Sequence, residues 1–279
     1  MTHYRGETMN YSKITSSSNP KIKEVMAIRR RKSSARRTSF IIEGPHLVEM
    51  ALAAHTAISE VFFTEDFAGR EEGQRTLRQL SKCQARVYEV AEHLLDKLAE
   101  TETPQGLIAV ATHSPLPLTG LRLRANPLLV VCDGIQDPGN LGTIIRTADA
   151  AGADGVVILP GTCDVYMQKT IRATAGSLFN IPVAHAAVGE LLDWLRANKI
   201  HLAVTAAGAE NSFFEADLDK PVAFVFGNEA QGVQEDLRKA ADISLSIPIY
   251  GRAESLNVAV SAALCLYEAV RQRYLKKPR

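Results

Sequence analysis

Short apolar segments alternate with helical patterns along most of this chain, and that order constrains the fold more than any other feature. Residues 128–132 (Leu-Leu-Val-Val-Cys) form an unbroken apolar run, which is typical of a strand in a parallel sheet covered on both faces. Further strands are predicted at 155–159, 181–185, 201–206, 222–226 and 243–249, with helices at 141–151, 165–175, 188–198, 233–240 and 255–274. This order predicts an α/β domain built on a parallel sheet.

The first half shows the same alternation on a smaller scale. Strands are predicted at 40–42, 61–63, 85–90 and 107–111, with helices at 46–54, 70–82 and 91–98 between them. We therefore divide the 279 residues into a basic N-terminal arm or helix at 1–36, a small α/β domain at 37–112, a linker at 113–126 and the larger α/β domain at 127–279.

Composition limits the classes of protein to consider. With 46% hydrophobic and 23% charged residues the chain is typical of a soluble globular protein, and no apolar run approaches the roughly 18–20 residues of a membrane span. The four cysteines lie far apart without a C-x-x-C pair, and Cys132 and Cys265 lie in apolar stretches, so we expect buried thiols and no metal site. These features predict a cytoplasmic protein that does not associate with a membrane.

A basic block lies near the N-terminus, although the net charge of the chain is only +1. Such a block is often a contact surface for phosphate backbones, and it is equally consistent with a solvated helix face or a tail. Its cations are opposed only by Glu24. They are Lys21, Lys23, Arg29, Arg30, Arg31, Lys32, Arg36 and Arg37, of which the last six are our candidate nucleic-acid contacts.

Several familiar site motifs are missing. The first strand of the larger domain is followed by D-G-I-Q-D-P-G-N at 133–140, where a dinucleotide-binding fold would need G-x-G-x-x-G. A Walker A loop, an H-E-x-x-H pair and a G-x-S-x-G elbow are also missing from the sequence. These absences argue against a nucleotide-dependent dehydrogenase, a P-loop enzyme, a zinc protease and a serine hydrolase.

Three short motifs lie where predicted strands give way to loops or helices. They are N-L-G-T-I-I-R at 140–146, F-G-N-E at 226–229 with Gly232, and S-L-N-V-A at 255–259. We expect Asn140 to cap the helix that follows it and Ser255 to cap the last helix, with Asn257 in its first turn. Arg146 is six residues beyond Asn140, or about 600° around a helix, so the two should not share a face. Taken alone, each motif is also consistent with a helix cap or a tight turn.

Together the three motifs resemble the signature of the SpoU (TrmH-like) branch of the SPOUT RNA methyltransferases, whose first motif is matched by N-x-G-x-x-x-R-x-A at 140–148. In the first half, F-I-I-E-G at 40–44, Leu47-Val48 and T-P-Q-G at 103–106 resemble the ribosomal-protein-like substrate-binding domain that precedes many of these catalytic domains.

The resemblance implies a parallel α/β domain with a deep trefoil knot near its C-terminus, a homodimer, and S-adenosylmethionine as the cofactor. It places the cofactor against the second and third motifs and the strand end at Thr205. The implied cofactor-binding residues are Thr205, Gly227, Asn228, Gly232, Ile247, Ile249 and Leu256.

The implied reaction is methyl transfer to a ribose 2′-hydroxyl of RNA. Arg146 is the implied catalytic group, either as the base or as a fixed cation that stabilises the developing alkoxide. Asn140, Glu229, Ser255 and Asn257 are expected to orient Arg146 and the ribose.

The substrate-binding domain favours ribosomal RNA over transfer RNA, because transfer-RNA members often lack it. A non-catalytic RNA-binding assembly factor on the same fold is a second alternative. Such a relic would be expected to have lost Arg146 or Asn140, and both are present. Housekeeping modification and antibiotic resistance both remain open as the biological role.

Overall fold

The computed structural model describes residues 10–30, 38–206, 209 and 211–275. The chain divides into two compact units, one comprising Met1–Ser114 with Tyr166–Arg172 and the other Pro115–Val165 with Ala173–Arg279. The segment from Pro115 onward, expected to be a linker, belongs to the second unit because Leu118 and Leu121 are buried in its core.

The first unit is built on a five-stranded mixed sheet in the order β1-β4-β3-β5-β2. Strand β5 runs antiparallel to both of its neighbours, whereas β1, β4 and β3 are parallel to one another. The elements are β1 (Ser12–Ile14), α1 (Pro20–Arg30), β2 (Ser39–Glu43), α2 (Pro45–Ala53), β3 (Ile58–Phe63), α3 (Glu65–Gly69), α4 (Glu71–Leu80), β4 (Arg86–Val90), α5 (Glu92–Leu98) and β5 (Leu107–Thr112). The four predicted strands are confirmed, and the helix expected at 70–82 is confirmed as α4. Strand β1 and the short helix α3 were not predicted.

Helix α1 is part of the core of this unit and not of a separate arm. Ile22, Val25 and Ile28 lie on one face of the helix and are buried in the same cluster as Leu94 and Leu98 of α5. The basic side chains of α1 therefore project from a helix whose apolar stripe holds it against the sheet.

The second unit is built on a seven-stranded sheet in the order β10-β12-β9-β11-β6-β7-β8, in which every neighbouring pair is parallel. The remaining elements of the chain are β6 (Leu128–Asp133), α6 (Pro138–Ala150), β7 (Gly155–Ile158), α7 (Gln168–Thr174), β8 (Val183–His185), α8 (Val188–Ala197), β9 (His201–Thr205), β10 (Asn211–Ser212), β11 (Val222–Gly227), α9 (Glu235–Ala240), β12 (Ile243–Ser246) and α10 (Val258–Leu275). Most of α7 belongs to the first unit, and the other elements belong to the second. The predicted parallel sheet is confirmed, and β10 is an additional short edge strand. The trefoil knot stays a prediction.

The central strands β6 and β11 are buried along their whole length, as their unbroken apolar sequences predict. Cys132 and Cys265 are buried thiols, as expected. Because parallel strands end at one edge of a sheet, the loops after β6, β9, β11 and β12 meet there. The three motifs lie in these loops or in the first turns of α6 and α10, which follow them.

No helix in the described ranges is long and apolar enough to cross a membrane. The same ranges contain no group of three or more histidine, cysteine, aspartate or glutamate side chains placed to hold a metal ion.

Candidate active site

The first motif lies in the opening turn of α6. Asp137, not Asn140, caps this helix: its carboxylate accepts the backbone N–H of Asn140 at 2.8 Å, and Pro138 occupies the first helical position. The expectation that Asn140 is the cap is therefore wrong. Aspartate followed by proline is a strong helix start, since proline has no N–H to satisfy and its fixed φ suits the first turn.

A carboxylate and two amides join the three motifs. Glu229 accepts a hydrogen bond from Nδ2 of Asn140 at 3.0 Å, and Oδ1 of Asn140 accepts one from Nδ2 of Asn257 at 3.0 Å. Glu229 also accepts the backbone N–H groups of Gln136 at 3.2 Å and Asp137 at 3.3 Å. Both ends of the Asn140 amide are thus held, so its orientation is fixed by residues of the second and third motifs.

Asn257 is the cap of α10. Its Oδ1 accepts the backbone N–H of Ala259 at 2.9 Å and of Val260 at 3.3 Å. The expectation that Ser255 caps this helix is wrong, because the helix begins at Val258 and Ser255 lies in the loop before it. Serine and asparagine are comparable caps, so the sequence alone did not separate them.

Arg146 lies on the exposed side of α6, between the buried Ile145 and the partly buried Thr147. Its guanidinium makes no hydrogen bond or ion pair with any residue in the described part of the chain. The network of Glu229, Asn140 and Asn257 therefore orders the first turn of α6, and Arg146 projects from the same helix without joining that network.

The second motif forms a tight loop after β11. Asn228 and Gly232 exchange two backbone hydrogen bonds, at 3.0 and 2.8 Å. Gly232 has a φ of +72°, and a Cβ on Gly227 would come within 2.3 Å of the backbone of Gly232 and Val233. Both glycines are therefore required by the backbone itself.

A cavity of about 380 Å³ lies between the second and third motifs. All seven predicted cofactor-binding residues line it, together with Glu229, Ser255 and Asn257. Sequence reasoning missed five lining residues: Ala206, Val233, Leu245, Val258 and Ser261. Ser261 lies one helical turn beyond Asn257, a spacing that could have identified it.

The chemistry of the cavity fits S-adenosylmethionine. Leu245, Ile247 and Leu256 offer apolar walls to a nucleoside, while Thr205 and Asn228 offer a hydroxyl and an amide. Glu229 is a carboxylate in the lining, and an anion suits a sulfonium cation.

Hydrogen bonding sets the charge of the site. Burial acts to raise the pKa of Glu229, but the Asn140 amide and the backbone N–H groups of Gln136 and Asp137 outweigh it and lower that pKa. The Cys163 thiol has its pKa raised to about 11 by burial and by the negative charges of Asp137 and Glu229, so it stays protonated at neutral pH. Glu229 is thus a carboxylate beside a neutral thiol.

The candidate RNA contacts are only partly described. Arg29 and Arg30 are exposed at the end of α1, and Nη1 of Arg29 donates to the carbonyl of Lys97 at 2.8 Å. Arg31, Lys32, Arg36 and Arg37 lie outside the described residues.

Two family models match the sequence. One, described as the SpoU rRNA Methylase family, matches residues 127–267, and the other, described as the MRM3-like substrate binding domain, matches residues 19–109. The chain is 36% identical over 254 residues to the Bacillus subtilis 23S rRNA (guanosine(2553)-2′-O)-methyltransferase RlmP. The matched region covers 91% of this chain and 97% of that protein. The chain belongs to the SpoU rRNA methylase family.

Solved structures agree with this assignment. The AdoMet-bound rRNA methyltransferase from Sinorhizobium meliloti superimposes with a TM-score of 0.85 at 32% identity, over 94% of this chain and 98% of that one. The SpoU methyltransferase AviRb from Streptomyces viridochromogenes, in complex with AdoMet, superimposes with a TM-score of 0.83 at 31% identity, over 94% of this chain and 100% of that one. As a member of the SpoU family, the protein is an S-adenosylmethionine-dependent RNA 2′-O-ribose methyltransferase.

Proposed function

We propose that the protein methylates one ribose 2′-hydroxyl in the RNA of the large ribosomal subunit. The observation that carries this proposal is that relatives named for 23S rRNA match across both halves of the chain. Besides RlmP, they include the 23S rRNA (uridine(2479)-2′-O)-methyltransferase of Streptomyces viridochromogenes, 31% identical over 98% of this chain and 97% of that protein. These two relatives modify different nucleotides, a guanosine and a uridine, so the substrate class is proposed and not the position.

The proposed chemistry assigns a task to each motif. The bound cofactor supplies a methyl group on a sulfonium, and the cavity beside the second and third motifs holds it. Asn140 and Asn257 orient the ribose, and Glu229 holds Asn140 in place. The transfer would form the O–CH3 bond as the S–CH3 bond breaks, leaving a neutral thioether, and the hydroxyl proton would pass to solvent water. A guanidinium is practically never deprotonated in proteins, so Arg146 acts as a fixed cation that stabilises the oxygen as that proton leaves.

The first unit and the basic residues at the end of α1 are proposed to bind RNA. Exposed cations such as Arg29 and Arg30 suit phosphate contacts, which position an RNA without reading its sequence.

Transfer RNA is the weaker alternative. A solved structure that concerns 2-OH methylation of C/U34 on tRNA matches only 54% of this chain, with a TM-score of 0.50. A non-catalytic assembly factor is weaker still, because Asn140, Glu229 and Asn257 form an ordered network beside a cofactor-sized cavity.

We also propose that the protein is a homodimer joined through α10. The exposed apolar residues Val260, Leu264 and Tyr267 line a groove of about 800 Å³ that also contains Asn140 and Asn257. An apolar surface of this kind is typical of a contact with another protein, and a second copy placed here would border the active site. We place the protein in the cytoplasm with its ribosomal substrate, and we propose no metal in the reaction.

The test is methyl transfer from radiolabelled S-adenosylmethionine to naked 23S rRNA, intact large subunits and transfer RNA. A 2′-O-methyl group blocks alkaline cleavage at its own position, so cleavage mapping locates the product. Label at one alkali-resistant position of 23S rRNA is the expected result. Label confined to transfer RNA, or to a base, would contradict the proposal.

A further inference from the structure

A buried carboxylate at the end of β6 takes part in none of the three motifs. Asp133 is only 4% exposed and lies in register with Gly227 of β11. A buried carboxylate is costly unless hydrogen bonds satisfy it, so its partners show what it holds.

Both described partners of Asp133 belong to one residue, Gln234. The carboxylate accepts the backbone N–H of Gln234 at 2.8 Å and also its side-chain Nε2. Gln234 immediately precedes α9 and closes the loop that carries the second motif. Asp133 is therefore bonded through both the main chain and the side chain of the residue where that loop ends.

The loop between Gly227 and Gln234 forms one wall of the cofactor cavity. Its beginning is fixed because β11 pairs with β6 up to Gly227. The side chain of Asn228 fixes its middle by donating to the carbonyl of Gly134 at 2.8 Å and accepting the N–H of Ala230 at 2.9 Å. Asp133 fixes its far end.

We propose that Asp133 is a positioning residue for cofactor binding. By holding Gln234 it holds the returning arm of the loop, and with it Gly232, Val233 and Glu229, at the distance that the cavity requires. Asp133 itself does not line the cavity, so it acts through Gln234 and not by touching the cofactor. This role rests on the proposed function, because it assumes that S-adenosylmethionine occupies that cavity.

Asp154, the residue before β7, is the control because it is a second buried carboxylate that bonds to the other end of β6. Its carboxylate accepts the backbone N–H groups of Leu128 at 2.8 Å and Arg124 at 2.9 Å, and it also pairs with the Arg124 guanidinium. Asp154 has no contact with the loop of the second motif. Asp133→Ala and Asp154→Ala should both lower the melting temperature, since each substitution leaves buried N–H donors without an acceptor.

The experiment measures the dissociation constant of S-adenosylmethionine by calorimetry on full-length protein, at a temperature where each variant is folded. Losing a hydrogen-bonded charge at the loop end should raise this constant about tenfold or more in Asp133→Ala. Asp154→Ala should leave it within about twofold. Asp133→Asn should resemble the wild type, because its amide oxygen still accepts the Gln234 N–H while its NH2 group donates to the Gln234 side-chain oxygen.

A second pair of variants does not depend on the alanine substitution folding. Gln234→Glu sets a carboxylate against Asp133 and should weaken cofactor binding, and adding Asp133→Asn should restore it by removing the repulsion. If Asp133→Ala and Gln234→Glu bind the cofactor as tightly as the wild type, the positioning role is wrong while the proposed function stands. If the wild-type protein binds no S-adenosylmethionine, both are wrong.

Discussion

At the residue scale, Glu229 is the acceptor that connects the motifs. Its carboxylate takes hydrogen bonds from the Asn140 amide and from two backbone N–H groups that lead into α6. Glu229→Gln replaces one acceptor oxygen with a donor that faces N–H groups. We expect catalytic efficiency to fall about 10- to 100-fold, the range for losing a hydrogen bond to a charged group. Glu235→Gln, an exposed change at the start of α9, is the control and should leave activity unchanged.

The pH dependence follows from the lowered pKa of Glu229. A carboxyl whose pKa is lowered on folding contributes fully to the free energy of unfolding when the pH is above its ordinary pKa, 4.5. That contribution is lost as the pH falls through the lowered pKa. Glu229 can hold the Asn140 amide and face the cofactor cavity as an anion only while it is ionised, so cofactor affinity of the wild type should weaken once the pH falls through that lowered pKa. The Glu229→Gln variant should bind the cofactor weakly at every pH, and its affinity should not fall further in acid. The same acid-induced loss of affinity in the variant would show that another group is responsible.

Residues of the site were predictable from the sequence, but their local roles were less so. The family resemblance of the three motifs, and not residue type alone, led to the residues that line the cavity and form the network, since each motif by itself is equally consistent with a helix cap or a turn. The helix starts were misplaced by three residues at Asp137 and by two at Asn257. Asp137-Pro138 was a visible signal that we overlooked, whereas Ser255 and Asn257 are chemically comparable caps and only packing separates them.

At the element scale, Arg273 and Gln272 tie the C-terminal part of α10 to the loops beneath it, and Arg273 makes the larger number of these contacts. Arg273 donates to the carbonyls of Asn126 at 3.1 Å, Pro127 at 3.1 Å and Lys220 at 2.8 Å. Arg273→Met keeps the length of the side chain and leaves these carbonyls without their donor. We expect a loss of about 2–4 kcal/mol in the free energy of unfolding.

Chemical denaturation checks this expectation, and the neighbouring Arg271→Met is its control. Arg271 pairs with Glu268 one turn away and is largely exposed, so its loss should cost under about 1 kcal/mol. Equal costs for the two substitutions would contradict the special position of Arg273.

At the same scale, the basic end of helix α1 predicts how the affinity for RNA depends on salt. Arg29→Gln combined with Arg30→Gln removes two exposed cations from the end of the helix and leaves its buried face of Ile22, Val25 and Ile28 intact. If both contact phosphates, the slope of log affinity for RNA against log salt should become shallower by about one to two. The control is Arg75→Gln with Arg78→Gln, which removes the same charge from α4; an equal change there would mean that the effect is one of net charge.

The elements themselves were largely predictable because long apolar runs and helical spacing are local signals. Strand β10 and strand β1 were missed because two or three residues carry no usable period, and both are edge strands held by a single neighbour. The antiparallel direction of β5 could also not be predicted from the sequence, since an apolar run looks the same whichever way the strand runs.

At the scale of the whole molecule, the exposed apolar face of α10 predicts self-association. Tyr267→Arg places a charge on this face and should convert the proposed dimer to a monomer, with a loss of methyl transfer if the second copy borders the active site. Light scattering coupled to gel filtration measures the mass. Ala197→Arg adds the same charge at an exposed position of α8 and should leave the mass unchanged; a wild type that is already monomeric at micromolar concentration would contradict the proposal.

The knot and the dimer belong to this scale and have no local signature. Hydrophobic periodicity specifies which segments become strands but not the path by which the chain connects them, and true knots are rare. Both expectations came from the family resemblance.

The rate of methyl transfer by the Arg146→Ala variant is the measurement that tests the proposed active site most directly. Labelled S-adenosylmethionine and 23S rRNA are mixed with wild type, with this variant and with Arg196→Ala, which removes an exposed arginine from α8. We expect the Arg146 variant to bind the cofactor as the wild type does but to transfer the methyl group at least about 100-fold more slowly, with Arg196→Ala unaffected. Undiminished 2′-O-methylation by Arg146→Ala would contradict the assignment of the active site to the helix that begins at Pro138.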